Sequence, residues 1–288
     1  AEMYPGAIAA TAPERPAVVM ADTGAITTYA QLDAAANRLS RVMHAAGLRP
    51  GDHVAFCLEN HPRFLEVAWG CHYAGLVYTA CSSRLTADEL AYVVRDCGAR
   101  AFVTSRAMAG IAHEIVPHTP DVALRLMLDA ADADHASYEA TVAAASADPL
   151  PDRVEGSDML YSSGTTGRPK GVAFTFEPRP LGTAPTLTTL CQYVFGMGPE
   201  TTYLSPAPLY HAAPLRFTMA VHRLGGTAVV MPHFDAEEML ALIPRHRITA
   251  AQVVPTMFVR MLKLPDEVRA RHDVSSLRCV IHAAAPCP

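Results

Sequence analysis

The sequence predicts an α/β fold in which mainly parallel sheets are flanked by helices on both faces. Short apolar segments alternate along the chain with segments of helical periodicity, and this order is typical of parallel strands joined by crossover helices. Capping boxes mark where several helices begin. Half of the 288 residues are hydrophobic, so the chain can bury a large core, yet no apolar run reaches the roughly 18 residues of a membrane span.

The elements of the first half follow this alternation from residue 28 to residue 104. Thr28-x-x-Gln31 predicts a capping box, and the helix that it opens ends at Gly47. Apolar runs and caps of the same kinds predict the elements that come next. They are a strand at Val54–Leu58, a helix from about Arg63 to Gly75, an extended segment at Leu76–Cys81, a helix from Thr86-x-x-Glu89 to Gly98 and a strand at Ala101–Thr104.

The second half repeats the alternation after two interruptions. Residues 129–152 are rich in Ala, Asp and Pro and predict an exposed helix and a linker, and the proline-rich residues 177–185 predict a surface connection. The regular elements are strands at Thr202–Ser205, Ala250–Val254 and Leu277–Ile281, a helix opened by Asp235-x-x-Glu238, and a helix that begins in Val254-Pro-Thr-Met257.

Composition excludes several classes of function. The net charge of −5 gives no electrostatic case for binding nucleic acid, and the N-terminus carries no basic region followed by an apolar core. Seven cysteines show neither an even count nor the spacing of metal ligands. We therefore expect buried, reduced thiols in a cytoplasmic protein with no metal site and no transmembrane segment. The oligomeric state is left open.

The segment from Tyr161 to Gly171 is the strongest functional signal. It places three glycines, four serine or threonine hydroxyls and one lysine within eleven residues, between apolar runs. Glycines allow close approach of the backbone, hydroxyls and amides bond phosphate oxygens, and lysine adds positive charge. Pro169 before Lys170 and Gly171 after it rule out a Walker loop. The segment predicts a polyphosphate-binding loop, and the alternative is a Ser/Gly/Thr-rich linker.

Four blocks in order make the chain resemble the adenylate-forming (AMP-binding) superfamily, most nearly a fatty-acid or other acyl-CoA synthetase. They are Ser162-Ser-Gly-Thr-Thr-Gly-Arg-Pro-Lys-Gly171, Arg84-Leu-Thr-Ala-Asp-Glu-Leu90 after Ala74-Gly-Leu-Val-Tyr78, Pro208-Leu-Tyr-His-Ala212 and Ala283-Ala-Ala-Pro-Cys-Pro288. The resemblance implies ATP-dependent activation of a carboxylic acid to acyl-AMP, release of pyrophosphate, and formation of a thioester with coenzyme A. It implies ATP, Mg²⁺, coenzyme A and a small carboxylate as cofactors and partners.

The resemblance also implies roles for individual residues. Lys170 would be the catalytic cation on the outer phosphates, and His211 and Thr256 would contact the acyl substrate. His211 is not expected to act as a base, because a carboxylate is already ionised near pH 7. The other residues implied are Ser162, Ser163, Gly164, Thr165, Thr166 and Gly167 around the phosphates, and Ala283, Ala284, Ala285 and Pro286 along the adenine.

The chain departs from the family pattern at two places. The family often has glycines where Ala283 and Ala284 stand, and it commonly continues into a Thr-His helix start where this chain has Ala173-Phe-Thr-Phe176. The backbone is therefore expected to approach the adenine less closely than in family members that have glycines there. The structure that follows the loop is left open.

The chain resembles only the N-terminal part of such an enzyme. We expect two lobes, at about residues 1–180 and 181–288, without the C-terminal lid domain that carries further catalytic groups. The strand at Leu277–Ile281 lies close to the last residue, which predicts a piece of a longer protein that is inactive alone.

Two alternatives remain beside the acyl-CoA synthetase. An adenylation domain that serves a carrier protein would, by resemblance, place an aspartate after the His211 block, and none stands in Pro214–Ala220. The other alternative is a non-catalytic nucleotide-binding relative.

The predicted wall of the acyl pocket is apolar, which favours a fatty or other apolar acid as substrate. Its candidate residues are Phe217, Met219, Val254 and Met257.

Overall fold

The computed structural model describes residues 2–162, 170–171, 175–283 and 285–286. In these ranges the strands are β1 (Pro16–Met20), β2 (Ile26–Thr28), β3 (His53–Cys57), β4 (Val77–Cys81), β5 (Ala99–Ser105), β6 (Leu124–Leu128), β7 (Ala136–Ser137), β8 (Ser157–Asp158), β9 (Tyr161–Ser162), β10 (Lys170–Gly171), β11 (Thr202–Ser205), β12 (Thr227–Val230), β13 (Ala250–Val253) and β14 (Cys279–His282). The helices are α1 (Pro5–Ala9), α2 (Tyr29–Ala45), α3 (Phe64–Tyr73), α4 (Ala87–Asp96), α5 (Ala109–Ile115), α6 (Tyr138–Ala143), α7 (Thr186–Tyr193), α8 (Ala212–Arg223), α9 (Ala236–His246), α10 (Pro255–Leu262) and α11 (Asp266–Ala270).

The chain divides into two compact units. One is continuous and contains Asp33–Thr183, and the other joins Ala1–Leu32 to Ala184–Pro288. We call them the continuous and the discontinuous unit. The sequence analysis places a lobe boundary near residue 180, and the discontinuous unit begins its second segment close to that point. It also takes in the first 32 residues, because β1 pairs with β12 in one sheet.

The continuous unit is built on a six-stranded sheet in the order β7-β6-β5-β3-β4-β8, in which all neighbouring strands are parallel. Helix α3 is buried along its whole length, which explains why it is mainly apolar, with Glu66 and His72 as its acidic and its basic side chain. Its first residue, Phe64, packs edge-on against Phe56 of β3 with 5.2 Å between the ring centroids. Phe56 also stacks on Tyr78 of β4 at 5.6 Å. The sheet therefore carries a tightly packed aromatic core.

The discontinuous unit has its own six-stranded sheet in the order β14-β13-β11-β12-β1-β2. Its neighbours are parallel except for the β1–β2 pair. Buried hydrogen bonds tie the N-terminal segment to the rest of the unit. The Tyr29 hydroxyl donates to the Gly226 carbonyl at 2.6 Å, and His222 Nε2 lies 3.0 Å from the Ala17 carbonyl oxygen.

The predicted fold class is confirmed, and the predicted elements match the structure within a few residues. The exposed helix predicted within residues 129–152 is the exception. Helix α6 forms there, but Tyr138 and Val142 are buried because this short helix packs against the sheet beside β6. The six cysteines in the described part of the chain are free, and five of them are buried. No helix among the described residues is long and apolar enough to cross a membrane.

Candidate functional site

The predicted phosphate loop is framed by a two-stranded antiparallel hairpin. Strand β9 precedes the loop and β10 follows it, and the backbone of Lys170 pairs directly with that of Ser162. The residues between the strands lie outside the described part of the chain, so the predicted phosphate ligands Ser163, Gly164, Thr165, Thr166 and Gly167 are not placed. The structure thus gives the frame of the loop and the backbone positions of its two end residues.

Contacts on the hairpin strands fix its position in the continuous unit. The Tyr161 hydroxyl donates to Asp96 Oδ2 at 2.5 Å, and burial together with this bond raises the pKa of Tyr161, so the phenol stays a donor. Gly171 faces Tyr161 so closely that an added Cβ would lie 2.8 Å from Cζ of that ring and 2.7 Å from Cε of Met159. A larger residue at the end of the loop would therefore have to displace the ends of these two side chains.

A buried carboxylate joins the chain before the hairpin to the chain after it. Glu155 Oε1 lies 2.7 Å from His72 Nδ1, and Glu155 Oε2 accepts the Gly182 N–H at 2.7 Å. The Glu155 N–H donates to the Arg179 carbonyl at 2.7 Å. Both ends of the segment that contains the loop are thus held at one point on helix α3.

Gly156 permits this arrangement at the start of strand β8. A Cβ at this position would lie 2.6 Å from the Leu76 carbonyl oxygen and 2.7 Å from the His72 Cα. Neither His72 nor Glu155 is identified from the sequence alone. The available signal was a histidine within the mainly apolar helix α3, since a buried polar side chain requires a partner.

The remaining predicted site residues lie at one edge of the sheet in the discontinuous unit. Strands β11, β13 and β14 are adjacent and parallel, so their carboxyl ends meet at the same edge. His211 follows β11, Thr256 follows β13 and Ala283 follows β14. The Ala283 N–H donates to the Val253 carbonyl at 3.2 Å, which continues the ladder one residue beyond the strands. The structure therefore brings the predicted acyl-side and adenine-side residues to one edge.

His211 and Thr256 lie at the beginnings of two helices. His211 is the N-cap of α8 and Thr256 belongs to the first turn of α10, and both residues are exposed. No N-cap side chain bonds the first amides of either helix. Those amides point toward the carboxyl edge of the sheet and favour negative charge there.

The adenine-side residues occupy a short stretch after β14. Ala283 is half-buried, and Ala285 and Pro286 are exposed. Ala284 lies outside the described residues. This stretch follows an edge strand of which Val280 is 39% exposed, so its surface is open to a flat ligand or to further protein.

The apolar residues predicted to line an acyl pocket also have structural partners. Phe217 packs against Phe195 with 6.4 Å between centroids, within a core cluster of this unit. Met257 belongs to a second cluster, against which Val254 packs. Core packing alone accounts for the burial of these side chains, and a role in acyl selection stays a prediction.

Comparison with known proteins gives one consistent result. The family model described as "AMP-binding enzyme" matches residues 7–288. A feruloyl-CoA synthase from Amycolatopsis sp is 33% identical over 273 residues, which cover 92% of this chain and 50% of that protein. The long-chain-fatty-acid–CoA ligase FadD13 from Mycobacterium tuberculosis is 29% identical over 284 residues, which cover 97% of this chain and 54% of that protein. The chain thus spans about half the length of the curated relatives it matches.

The fold is also similar to that of a solved structure. The inhibitor-bound N-terminal domain of FACL13 from Mycobacterium tuberculosis superposes with a TM-score of 0.82 at 27% identity. That match covers 99% of this chain and 69% of the other.

Proposed function

Since the chain belongs to the family of AMP-binding enzymes, we propose that it forms the nucleotide- and acyl-binding part of an acid–CoA ligase. The reaction activates a carboxylic acid to acyl-AMP with release of pyrophosphate, and then forms a thioester with coenzyme A. The observation that carries the proposal is the β9–β10 hairpin, which sets Ser162 opposite Lys170 at the two ends of the predicted phosphate loop. As the chain spans about half of its curated relatives, the proposal refers to the protein in its full natural length.

In the first proposed step, a carboxylate oxygen of the acid attacks the α-phosphorus of ATP. The bond from that phosphorus to the bridging oxygen breaks, and pyrophosphate leaves with the electron pair. ATP enters as its magnesium complex, so Mg²⁺ arrives with the nucleotide. Lys170 and the hydroxyls of the loop would hold the outer phosphates and offset the charge that develops on the leaving group. No base is required, because the acid is already ionised near pH 7.

In the second proposed step, the coenzyme A thiol attacks the acyl carbonyl and AMP leaves. The thiol proton goes to solvent or to AMP, and the thioester retains the acyl group. We propose coenzyme A as the acceptor, because both curated relatives named above are, by name, enzymes that join an acid to coenzyme A. We place the reaction in the cytoplasm, in keeping with free thiols throughout the described residues.

We propose that the acid is apolar, with a fatty acid as the first candidate. Helix α8, which begins beside His211, carries no acidic residue that could hold the ammonium group of an amino acid. This favours an acid without a charged amino group. An aryl acid is the second candidate, because one relative is a feruloyl-CoA synthase.

The test is carboxylate-dependent exchange of labelled pyrophosphate into ATP by the protein in its full natural length, with parallel panels of fatty, aryl and amino acids. We expect exchange with fatty acids and, on addition of coenzyme A, loss of free thiol as the thioester forms. Exchange with aryl acids alone would replace the first candidate by the second. The absence of exchange with every acid, in protein that binds ATP, would overturn the proposed activity in favour of a non-catalytic relative.

A further inference from the structure

A group of histidine and aspartate side chains lies on elements of the continuous unit that the proposed reaction does not use. His113 belongs to α5, and Asp132 and His135 lie in the loop between β6 and β7. His113 Nε2 is 3.1 Å from Asp132 Oδ2, and His135 Nδ1 is 3.1 Å from Asp132 Oδ1. One possible ligand atom from each residue lies within 4.8 Å of those of the other two. One carboxylate is thus placed between two imidazoles.

Asp132 and His135 are held in place by their own loop. The backbone N–H groups of Asp134 and His135 both donate to Asp132 Oδ1 at 2.8 Å, and the Asp132 N–H donates to the His135 carbonyl at 3.0 Å. The His135 side chain is fully buried, at 0% exposure. Two of the three side chains therefore keep their positions without a bound ion. Such preorganisation is what separates a binding site from a chance cluster of surface charges.

The third side chain, His113, has an orienting partner. Asp134 Oδ2 lies 3.4 Å from His113 Nδ1, on the opposite side of the ring from the nitrogen that faces Asp132. A carboxylate that accepts the N–H of one ring nitrogen leaves the other nitrogen with its lone pair and makes it a better ligand.

We propose that His113, Asp132 and His135 bind a late first-row divalent cation of the zinc class. The two imidazole nitrogens approach the two different oxygens of the Asp132 carboxylate at 3.1 Å each, and one ligand atom of each residue lies within 4.8 Å of the others. Small side-chain shifts would bring these atoms to bonds of about 2.0–2.1 Å with one shared cation. Two imidazoles and one carboxylate suit zinc better than magnesium or calcium, which prefer oxygen ligands. His113 and Asp132 are partly exposed, so solvent supplies the fourth ligand.

The surroundings of His135 limit the affinity of the cluster for a cation. His135 Nε2 is buried and makes no hydrogen bond with the described residues. When Nδ1 holds a cation, the ring proton must reside on Nε2, where it has no acceptor, so the metal complex loses part of its free energy to an unsatisfied donor. We therefore expect a dissociation constant in the micromolar range. The bound ion would tie helix α5 to the loop between β6 and β7.

The test uses the purified chain after dialysis against a chelator. It is titrated with Zn²⁺ by calorimetry and with Co²⁺ by visible absorption. We expect one ion per chain, the absorption bands of four-coordinate cobalt, and a higher thermal midpoint with Zn²⁺ than with chelator. The readouts are independent of acid activation, so failure here leaves the proposed function untouched.

Matched variants distinguish Zn²⁺ binding by these three residues from nonspecific binding elsewhere on the chain. His113→Ala and Asp132→Asn should each weaken Zn²⁺ binding by at least about tenfold. His118→Ala removes an exposed histidine of the same unit and should leave binding unchanged. The thermal midpoints in chelator show whether each variant is folded, and Asp132→Asn retains an oxygen for the loop amides. Equal affinities in wild type and His113→Ala, or no cobalt bands in wild type, would overturn the proposal.

Discussion

His72 Nδ1 lies 2.7 Å from Glu155 Oε1, and both side chains are more than nine-tenths buried. The second oxygen of this carboxylate accepts the Gly182 N–H at 2.7 Å. One acidic side chain therefore connects helix α3 to the chain on both sides of the predicted phosphate loop. The position of the loop therefore depends on the contacts of Glu155 with His72 and Gly182, three residues outside the loop.

Replacing Glu155 with alanine should destabilise the protein by about 3 kcal/mol, because it leaves the buried Gly182 amide without its acceptor and removes the close contact with the buried His72 ring. Glu155→Gln keeps an oxygen for the amide and should cost only about 1–2 kcal/mol. Urea denaturation measures both values. Glu114→Ala, at an exposed glutamate on α5, is the control and should have little effect. Unchanged midpoints in both Glu155 variants would contradict the structural role of this contact.

Replacing Lys170 with alanine should impair ATP use far more than acyl binding. The loss of a cation from the phosphate loop is expected to lower the rate of pyrophosphate exchange by about 100-fold, since a preorganised charge on the leaving group is removed. Lys263→Ala provides the matched control, because Lys263 is an exposed lysine after α10. A parallel loss of acyl affinity in the Lys170 variant would argue against a phosphate role.

Replacing His211 with alanine should change which acids are activated. This exposed N-cap lies at the carboxyl edge of the sheet beside the first turn of α8, where the acyl group is proposed to bind. The measurement is pyrophosphate exchange across a series of chain lengths, with His44→Ala as an exposed control. We expect the preferred length to shift, with rates for individual acids changing by about tenfold. An unchanged profile would refute the role.

The buried His222 should make stability depend on pH. Burial lowers its pKa to about 4 in the folded protein, and the hydrogen bond with the Ala17 carbonyl offsets only part of this. Between its unfolded pKa of about 6.5 and this value, the unfolded chain binds the extra proton, so stability falls as pH falls. The largest contribution is about 3 kcal/mol, reached near pH 4.

The His222 contribution can be isolated by comparison with His222→Gln. Other groups titrate over the same range, so the quantity of interest is the difference between the two curves of unfolding free energy against pH. The wild type should lose more stability than the variant between pH 7 and pH 5. Parallel curves would show that the histidine does not carry this dependence.

The regular elements could be predicted because their signals are local. The Thr86–Glu89 capping box is formed as expected, with Glu89 N–H to Thr86 Oγ1 at 3.3 Å and Thr86 N–H to Glu89 Oε2 at 2.9 Å. Asp235 likewise caps α9 through the amides of Glu237 and Glu238. In each case a residue and its partner are separated by a single helical turn, so the sequence alone contains both.

The side-chain contacts over longer distances could not be predicted. The His72–Glu155 contact joins residues far apart in the chain, and so does the link of His113 to Asp132, and a single sequence contains no record of such pairs. The burial of Tyr138 could not be predicted for the same reason, since groups of and beside helix α3 surround it, Arg63, Glu66 and Cys71 among them. The predicted roles of Lys170 on the phosphates and of His211 at the acyl group came from family resemblance, because no local pattern in the sequence identifies them.

The pairing of β1 with β12 has a consequence for synthesis of the protein. The continuous unit has all its strands within residues 33–183 and can collapse once that stretch has left the ribosome. Strand β1 precedes the continuous unit in the chain, but its parallel neighbour, Thr227–Val230, follows that unit. Closing so long a loop is entropically slow, and the waiting apolar strand offers an unpaired edge to other chains. A strand that is synthesised before the continuous unit thus finds its sheet partner only after that unit has been made.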